Sequence, residues 1–182
     1  MIPSLLAQVS DEVKAILRTA QDEAREMGHG YIGTEHVLIA LLGQGSSPGI
    51  DEARRQGATP DAARQTAQDN FAAAEGALTY VPDDMALEAV GVDLEAVRRR
   101  AEAQFGPEAL PLRVGAPAFT PRVKTALEGA AVAGGRAGRP ASTDDLLIGL
   151  LSDSESVAGR FLTETCSELD AVADAAQRAE RG

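Results

Sequence analysis

The side chains that could carry chemistry in this chain are few. It has two histidines, His29 and His36, and one cysteine, Cys166. The histidines flank a glycine-containing connector with no cysteine or further histidine nearby, so their spacing does not favour a metal site. Cys166 is distant in sequence from both, and a nucleophilic thiol needs a base and an orienting group beside it. We therefore predict a structural thiol, no catalytic residue, no metal and no cofactor.

Carboxylates are more numerous, and several come at predicted helix starts. Asp83-Asp84 and Asp144-Asp145 are adjacent pairs, and Glu35 follows a threonine. An acid in the first turn of a helix is stabilised by the helix dipole, which explains these positions without acid–base catalysis. The segment Gly43-Gln-Gly-Ser-Ser-Pro-Gly lacks the lysine of a phosphate-binding loop, so it does not predict ATP hydrolysis. These residues favour binding over catalysis.

The elements that must position these residues are helices, and their pattern occurs twice. The strings Ser10-Asp-Glu-Val-Lys-Ala-Ile-Leu and Gly33-Thr-Glu-His-Val-Leu-Ile-Ala-Leu-Leu reappear as Thr120-Pro-Arg-Val-Lys-Thr-Ala-Leu and Ser142-Thr-Asp-Asp-Leu-Leu-Ile-Gly-Leu-Leu. Helical hydrophobic spacing predicts four helices in each copy. No segment alternates convincingly enough to predict a strand. The sequence therefore predicts an all-α fold built from two related halves.

Caps and glycines set the predicted helix boundaries. Hydroxyl side chains that can cap a helix precede the first two helices of each copy: Ser10 and Thr34 in copy one, and Thr120 and either Ser142 or Thr143 in copy two. The glycines of Ala133-Gly-Gly-Arg are poor helix formers, so they predict that the first helix of copy two ends early.

The two copies are separated by an irregular middle segment. Residues 1–70 form copy one, and residues 119–182 form the more divergent copy two. Residues 71–118 are predicted to hold a helical insertion followed by a proline-containing linker. We expect the copies to form one compact, pseudo-symmetric domain.

Composition excludes several classes of partner. The net charge of −11 repels phosphate backbones, and Arg98-Arg99-Arg100 is interpreted as a solvated helix face. No apolar run approaches the length of a membrane span, and the first residues lack the pattern of a signal peptide. One cysteine fits a reducing compartment. We expect a cytoplasmic protein that binds neither nucleic acid nor membrane and whose acidity suits arginine- or lysine-bearing partners.

Two strings carry a family resemblance. Tyr31-Ile-Gly-Thr-Glu-His-Val-Leu in copy one and Phe119-Thr-Pro-Arg-Val-Lys in copy two resemble the signatures of the Clp N-terminal (Clp repeat) domain, which precedes the ATPase rings of ClpC- and ClpA-type AAA+ unfoldases. The resemblance covers residues 5–70 and 117–178. It implies duplicated four-helix Clp repeats with pseudo-twofold symmetry, here as a stand-alone copy without the motor.

The same resemblance implies a set of site residues. In parts of this family the glutamate of the Gly-Thr-Glu-His motif holds an arginine guanidinium, including that of phosphoarginine. The implied ligand-binding residues are Gly33, Thr34, Glu35 and His36 in copy one, Thr143 and Asp144 in copy two, and Phe119 and Lys124 on an exposed surface between the repeats. Copy two departs from the motif, with Asp145 at the histidine position, which argues against an equivalent second site. Alternative roles are a helix-start acid for Glu35, a structural hydrogen bond for His36 and a hydrophobic staple for Phe119.

The sequence thus favours a non-catalytic protein- or peptide-binding module. The resemblance implies an accessory or regulator of Clp-dependent proteolysis, with a Clp ATPase, an adaptor or an arginine-bearing substrate as partner. The alternative is a sequestering protein that captures small cyclic peptides directed at the unfoldase.

Overall fold

A computed structural model describes residues 5–77 and 117–179. The first repeat contains α1 (Asp11–Glu26), β1 (Tyr31–Ile32), α2 (Thr34–Gln44), α3 (Pro48–Arg55) and α4 (Pro60–Ala77). The second contains β2 (Ala118–Phe119), α5 (Pro121–Arg136), α6 (Thr143–Leu151), α7 (Val157–Thr165) and α8 (Leu169–Ala179). The prediction of an all-α fold with four helices in each repeat is confirmed.

Most of the predicted helix caps are confirmed, and one is wrong. The hydroxyls of Ser10 and Thr120 accept hydrogen bonds from main-chain amides three residues further on, and Ser142 caps α6 in the same way. Thr34 is not the cap of α2, because the helix begins at Thr34 and Gly33 precedes it as the cap residue. The Thr34 hydroxyl instead contacts the other repeat.

The prediction that the first helix of the second repeat ends early is also wrong. Helix α5 has 16 residues, as many as α1. Gly134 lies on its buried face, where a Cβ would come within 2.6 Å of the main-chain nitrogen of Ala141. The glycine therefore allows close packing of the following loop against the helix, which offsets its weak helix propensity.

Two short strands that the sequence did not predict join the repeats. Tyr31–Ile32 pairs in parallel with Ala118–Phe119, and an isolated parallel bridge joins Val9 to Ala141. Two-residue strands are too short for an alternating pattern. Each contact links the segment before the first helix of one repeat to the segment before the second helix of the other. This reciprocal pairing is what a pseudo-twofold axis between the repeats requires.

The buried core is shared by the two repeats. It is built from small and aliphatic residues, as the composition predicts, and the largest fully buried aliphatic side chains include Leu38, Leu41, Ile50, Leu146, Leu147 and Leu162. The described residues 5–68 and 117–179 belong to one compact unit. Most of the predicted helical insertion and linker, residues 78–116, lies outside the described residues. Among the described helices, none is long and apolar enough to span a bilayer.

Candidate functional site

Glu35 lines an open pocket at the junction of the two repeats. It occupies the second position of α2 and is only 7% exposed. The pocket has a volume of about 210 Å³ and draws its lining from both repeats: Tyr31, Gly33, Thr34 and Glu35 from the first, and Thr120, Arg122, Glu155, Ser156 and Val157 from the second. The pocket therefore exists only because the repeats are paired.

Gly33 determines where the Glu35 carboxylate lies. A Cβ built at Gly33 would overlap the carboxylate group, so another residue there would displace it. The Gly33 φ of −91° is open to any residue, which shows that space, and not backbone conformation, selects glycine at this position. The Gly-Thr-Glu motif is thus a local packing arrangement that directs one acid into the pocket.

The electrostatic environment of Glu35 disfavours its charge. Burial raises the pKa of the Glu35 carboxyl, while hydrogen bonds from its own main-chain amide and from Tyr31 lower that pKa in part. Burial and the Glu35 charge in turn raise the pKa of the Tyr31 hydroxyl. An ionised carboxylate with such incomplete compensation gains stability from a cation.

His36 has a structural position beneath the pocket. Its Nδ1 accepts a hydrogen bond from the Gly33 amide at 2.9 Å, and its Nε2 lies 2.8 Å from Nδ1 of His29. Because Nδ1 of His36 is an acceptor, the neutral ring must carry its proton on Nε2 and donate it to His29. The ring of Tyr31 stacks on His29 at a centroid distance of 5.5 Å. The two histidines therefore fix the start of α2 and one wall of the pocket.

The same hydrogen bonds bear on metal binding. The ligand atoms of His29, Glu35 and His36 lie within 4.8 Å of one another. However, Nε2 of His36 carries a proton and donates it to His29, so neither nitrogen of this contact offers a free lone pair. Glu35 Oε1 lies 3.5 Å from Nδ1 of His36, and the pKa of His36 is lowered to about 4 by burial and by His29. The ring is neutral near pH 7, so no ion pair forms, and the cluster has the geometry of a hydrogen-bonded pair.

The opposite wall of the pocket carries charges of both signs, because its lining includes Arg122 and Glu155. The Arg122 guanidinium lies at the rim, held by the Asp153 carboxylate at 2.6 and 2.7 Å. Val157 opens α7 at the pocket wall, and the start of a helix carries a partial positive charge. The pocket thus presents the Glu35 carboxylate on one side and, on the other, a helix start and an arginine that is paired with an acid.

The start of α6 in the second repeat corresponds to the start of α2 in the first, and we call these two places the second and the first corner. The acids of the second corner have different contacts from Glu35. The Asp144 carboxylate accepts hydrogen bonds from the Ser47 hydroxyl at 2.6 Å and from the Gly49 amide at 3.1 Å, and it is buried. Asp145 accepts from the Ser142 amide and pairs with Arg139 at 2.6 Å. Both acids are therefore engaged within the protein.

The predicted site residues fall into three groups. Gly33, Thr34 and Glu35 line the pocket, and His36 supports it from below. Thr143 and Asp144 lie at the second corner. Phe119 packs partly buried against the core, and Lys124 is partly buried on α5, so neither belongs to the lining of the Glu35 pocket.

Sequence reasoning did not select Tyr31, Arg122, Ser156 or Val157, although all four line the pocket. Tyr31 and Arg122 stand inside the two strings that carry the family resemblance. Placing the strings side by side as one surface could have found them. Ser156 and Val157 gave no such signal, because only the packing of α7 against α2 brings them to Glu35.

Comparison with known proteins gives consistent results. The family model of the Clp repeat (R) N-terminal domain matches residues 8–80 and 77–165. A ClpA homolog, the ATP-binding subunit of an ATP-dependent Clp protease from Guillardia theta, is 28% identical over 169 residues, which cover 92% of this chain and 16% of that protein. The chloroplastic chaperone protein ClpC1 of Arabidopsis thaliana is 27% identical over 162 residues, covering 88% of this chain and 14% of that protein.

A solved structure shows the same fold. The N-terminal domain of the caseinolytic protease associated chaperone ClpD from Arabidopsis thaliana has a TM-score of 0.60 at 17% identity, with 97% of this chain and 96% of that chain covered. The two sequence relatives are much longer, and this chain spans only 16% and 14% of their length.

Proposed function

The chain belongs to the Clp repeat N-terminal domain family, and from this premise we propose that it is a non-catalytic module that docks protein or peptide ligands through the Glu35 pocket. The ligand group that fits this pocket is an arginine side chain. A phosphorylated arginine suits it further, because the pocket offers a partner for each of its charges.

The observation that carries this proposal is the buried carboxylate of Glu35 facing an open cavity. A guanidinium can form paired, charge-assisted hydrogen bonds with a carboxylate, and it would compensate the charge that burial disfavours. On the opposite wall, the Arg122 guanidinium can receive an anion such as a phosphoryl group, whereas the Ala158 and Gly159 amides at the start of α7 are already bonded to Thr34 and Ser156. The two walls together select a ligand with a cation and an anion close together.

The described residues also support a role without catalysis. Cys166 is buried, and burial raises the pKa of its thiol, which disfavours the nucleophilic thiolate. The two histidines contact each other, so His36 is committed to the start of α2 and to His29. No described residue pairs a nucleophile with an available base.

Calorimetric titration with phosphoarginine and with an arginine-containing peptide tests the proposal. Glu35→Gln keeps the size of the side chain but removes the charge, and we expect at least about a tenfold loss of affinity, as for other hydrogen bonds to charged groups. Glu128→Gln is the matched control, because Glu128 is an exposed acid on α5 outside the pocket. Absence of binding by the parent protein, or equal affinity of the two variants, would refute the assignment.

We further propose that the chain acts as an accessory or regulator of Clp-dependent proteolysis. A docking domain added in trans would compete with the docking domain of the unfoldase for tagged substrates. Adding the chain to a reconstituted Clp protease should slow degradation of an arginine-phosphorylated substrate, and Glu35→Gln should abolish the effect. Binding of cyclic peptides without any effect on degradation would instead favour the sequestration alternative.

A further inference from the structure

We infer that only one of the two pseudo-equivalent corners in the described repeats is a ligand site, because the corner of the second repeat has become a clasp between the repeats. The clasp consists of Asp144, Ser47 and Gly49. The inference rests on the proposed function of the Glu35 pocket, and it assigns the second corner a structural role that the repeat pattern alone does not reveal.

The two corners are related residue by residue. Thr34 and Glu35 are the first two residues of α2, and Thr143 and Asp144 are the first two residues of α6. Each pair faces the start of the third helix of the other repeat. Ser156 caps α7, and Ser47 caps α3. Each serine hydroxyl accepts a hydrogen bond from the main-chain amide three residues further along the chain.

The threonine and the acid exchange roles between the corners. In the first corner the Thr34 hydroxyl accepts from the Ala158 amide at 3.4 Å, so the Glu35 carboxylate remains directed at the pocket. In the second corner the acid, and not the threonine, accepts the hydrogen bond from the equivalent main-chain amide. Asp144 accepts from the Gly49 amide and also from the Ser47 hydroxyl. The carboxylate of the second motif is therefore consumed inside the protein.

Gly49 makes the clasp possible. A Cβ built there would come within 2.6 Å of Asp144 Oδ1 and 2.7 Å of the Ala176 Cβ. The equivalent residue of α7 is Ala158, which carries the Cβ that Gly49 lacks. A single difference in side-chain size thus accompanies the closure of one corner and the opening of the other.

The cavity that remains near the second corner also has different charges. It measures about 160 Å³ and is lined by residues that include Thr143, Ser46 and Glu12, but not Asp144. Glu12 holds the sequence position that Arg122 holds in the second repeat. A ligand carrying an anion beside its guanidinium would meet a carboxylate here where the first pocket offers an arginine.

Two measurements on the intact chain test the inference. The first is the stoichiometry of phosphoarginine binding by calorimetry, for the parent, Glu35→Ala and Asp144→Ala. We expect one site per chain, lost in Glu35→Ala and retained in Asp144→Ala. Two sites per chain, or residual binding of half the capacity in Glu35→Ala, would overturn the inference.

The second measurement needs no ligand. Urea unfolding of Ser47→Ala, Asp144→Ala and the double variant forms a double-mutant cycle, which measures the interaction energy between the two side chains of the clasp. Ser156→Ala, Glu35→Ala and their double variant form the matched cycle at the open corner. We expect non-additive losses at the clasp and additive effects at the open corner. Additive effects in both cycles would refute the clasp. If phosphoarginine does not bind at all, the proposed function fails, while this cycle still decides the clasp.

Discussion

The histidine pair beneath the pocket makes the stability of the fold depend on pH in a defined direction. His36 is fully buried, and its neutral ring accepts the hydrogen bond that begins α2. Protonating Nδ1 would remove that acceptor. We predict that replacing His36 by Asn, whose amide oxygen can accept from Gly33 but does not titrate, removes most of this pH dependence.

The magnitude follows from the pKa of His36. Burial and His29 lower it from 6.5 to about 4. The unfolded chain therefore takes up a proton in this interval while the folded protein does not, so stability is full above pH 6.5 and is lost as the pH falls towards 4. At about 1.4 kcal/mol per pKa unit, the difference corresponds to about 3 kcal/mol of unfolding free energy. Small domains have about 5–15 kcal/mol in total, so the loss is measurable.

Urea unfolding followed by circular dichroism at pH 7 and pH 4 is the assay. His36→Asn should be less stable than the parent at pH 7, because His29 loses its partner. Between pH 7 and pH 4 the parent should lose about 3 kcal/mol more than the variant, so the two stabilities converge in acid. Parallel losses in the two proteins would show that His36 does not carry a lowered pKa and would refute this account of the pH dependence.

Three glycines and one arginine give further tests. Gly33→Ala should displace the site carboxylate and weaken phosphoarginine binding at least about tenfold in calorimetry, and unchanged affinity would contradict the packing at this position. Arg122→Ala should weaken phosphoarginine binding more than arginine binding, and equal losses in the same titrations would remove Arg122 from the anion side of the pocket. Gly134→Ala should lower the unfolding free energy by about 1–3 kcal/mol through overpacking. Gly135→Ala, where a Cβ meets no atom within 4 Å, should raise the unfolding free energy by up to about 1 kcal/mol, and the same sign for both variants would contradict the packing at α5.

Features that depend on local sequence were predictable. Ser10 and Thr120 cap their helices through hydrogen bonds to amides three residues away, so the cap and its partner lie within one turn. Thr34 shows the limit of this reasoning, because its hydroxyl contacts Ala158, 124 positions further along the chain. Because the helix already includes Thr34, a shift of the helix start by one residue was enough to turn a predicted cap into a tertiary contact.

Only the wall of the pocket that the Gly-Thr-Glu-His string forms was predictable from the sequence. Glu35 could be selected because the Gly-Thr-Glu-His string resembles the family motif, and the structure shows that Gly33 and His36 contact it or its helix start within one turn. The opposite wall, with Arg122 and Val157, is brought to the site by packing of the second repeat, and no pattern within either repeat indicates that approach. The different fate of Asp144 likewise depends on a glycine in another helix, so an alignment of the two motifs alone would assign both acids the same role.

The raised pKa of Glu35 links ligand binding to the stability of the free protein. Its folded pKa lies above the unfolded value, so the protonated form stabilises the fold, and that contribution is lost as the pH rises through the folded pKa. Near neutral pH the ionised carboxylate therefore destabilises the free domain, and a bound guanidinium would remove that cost. Binding should accordingly weaken as the pH falls through the raised pKa, and near that pH it should release protons. The ionised Glu35 carboxylate thus lowers the stability of the free domain, and pairing this same charge with a guanidinium contributes to the affinity for the ligand.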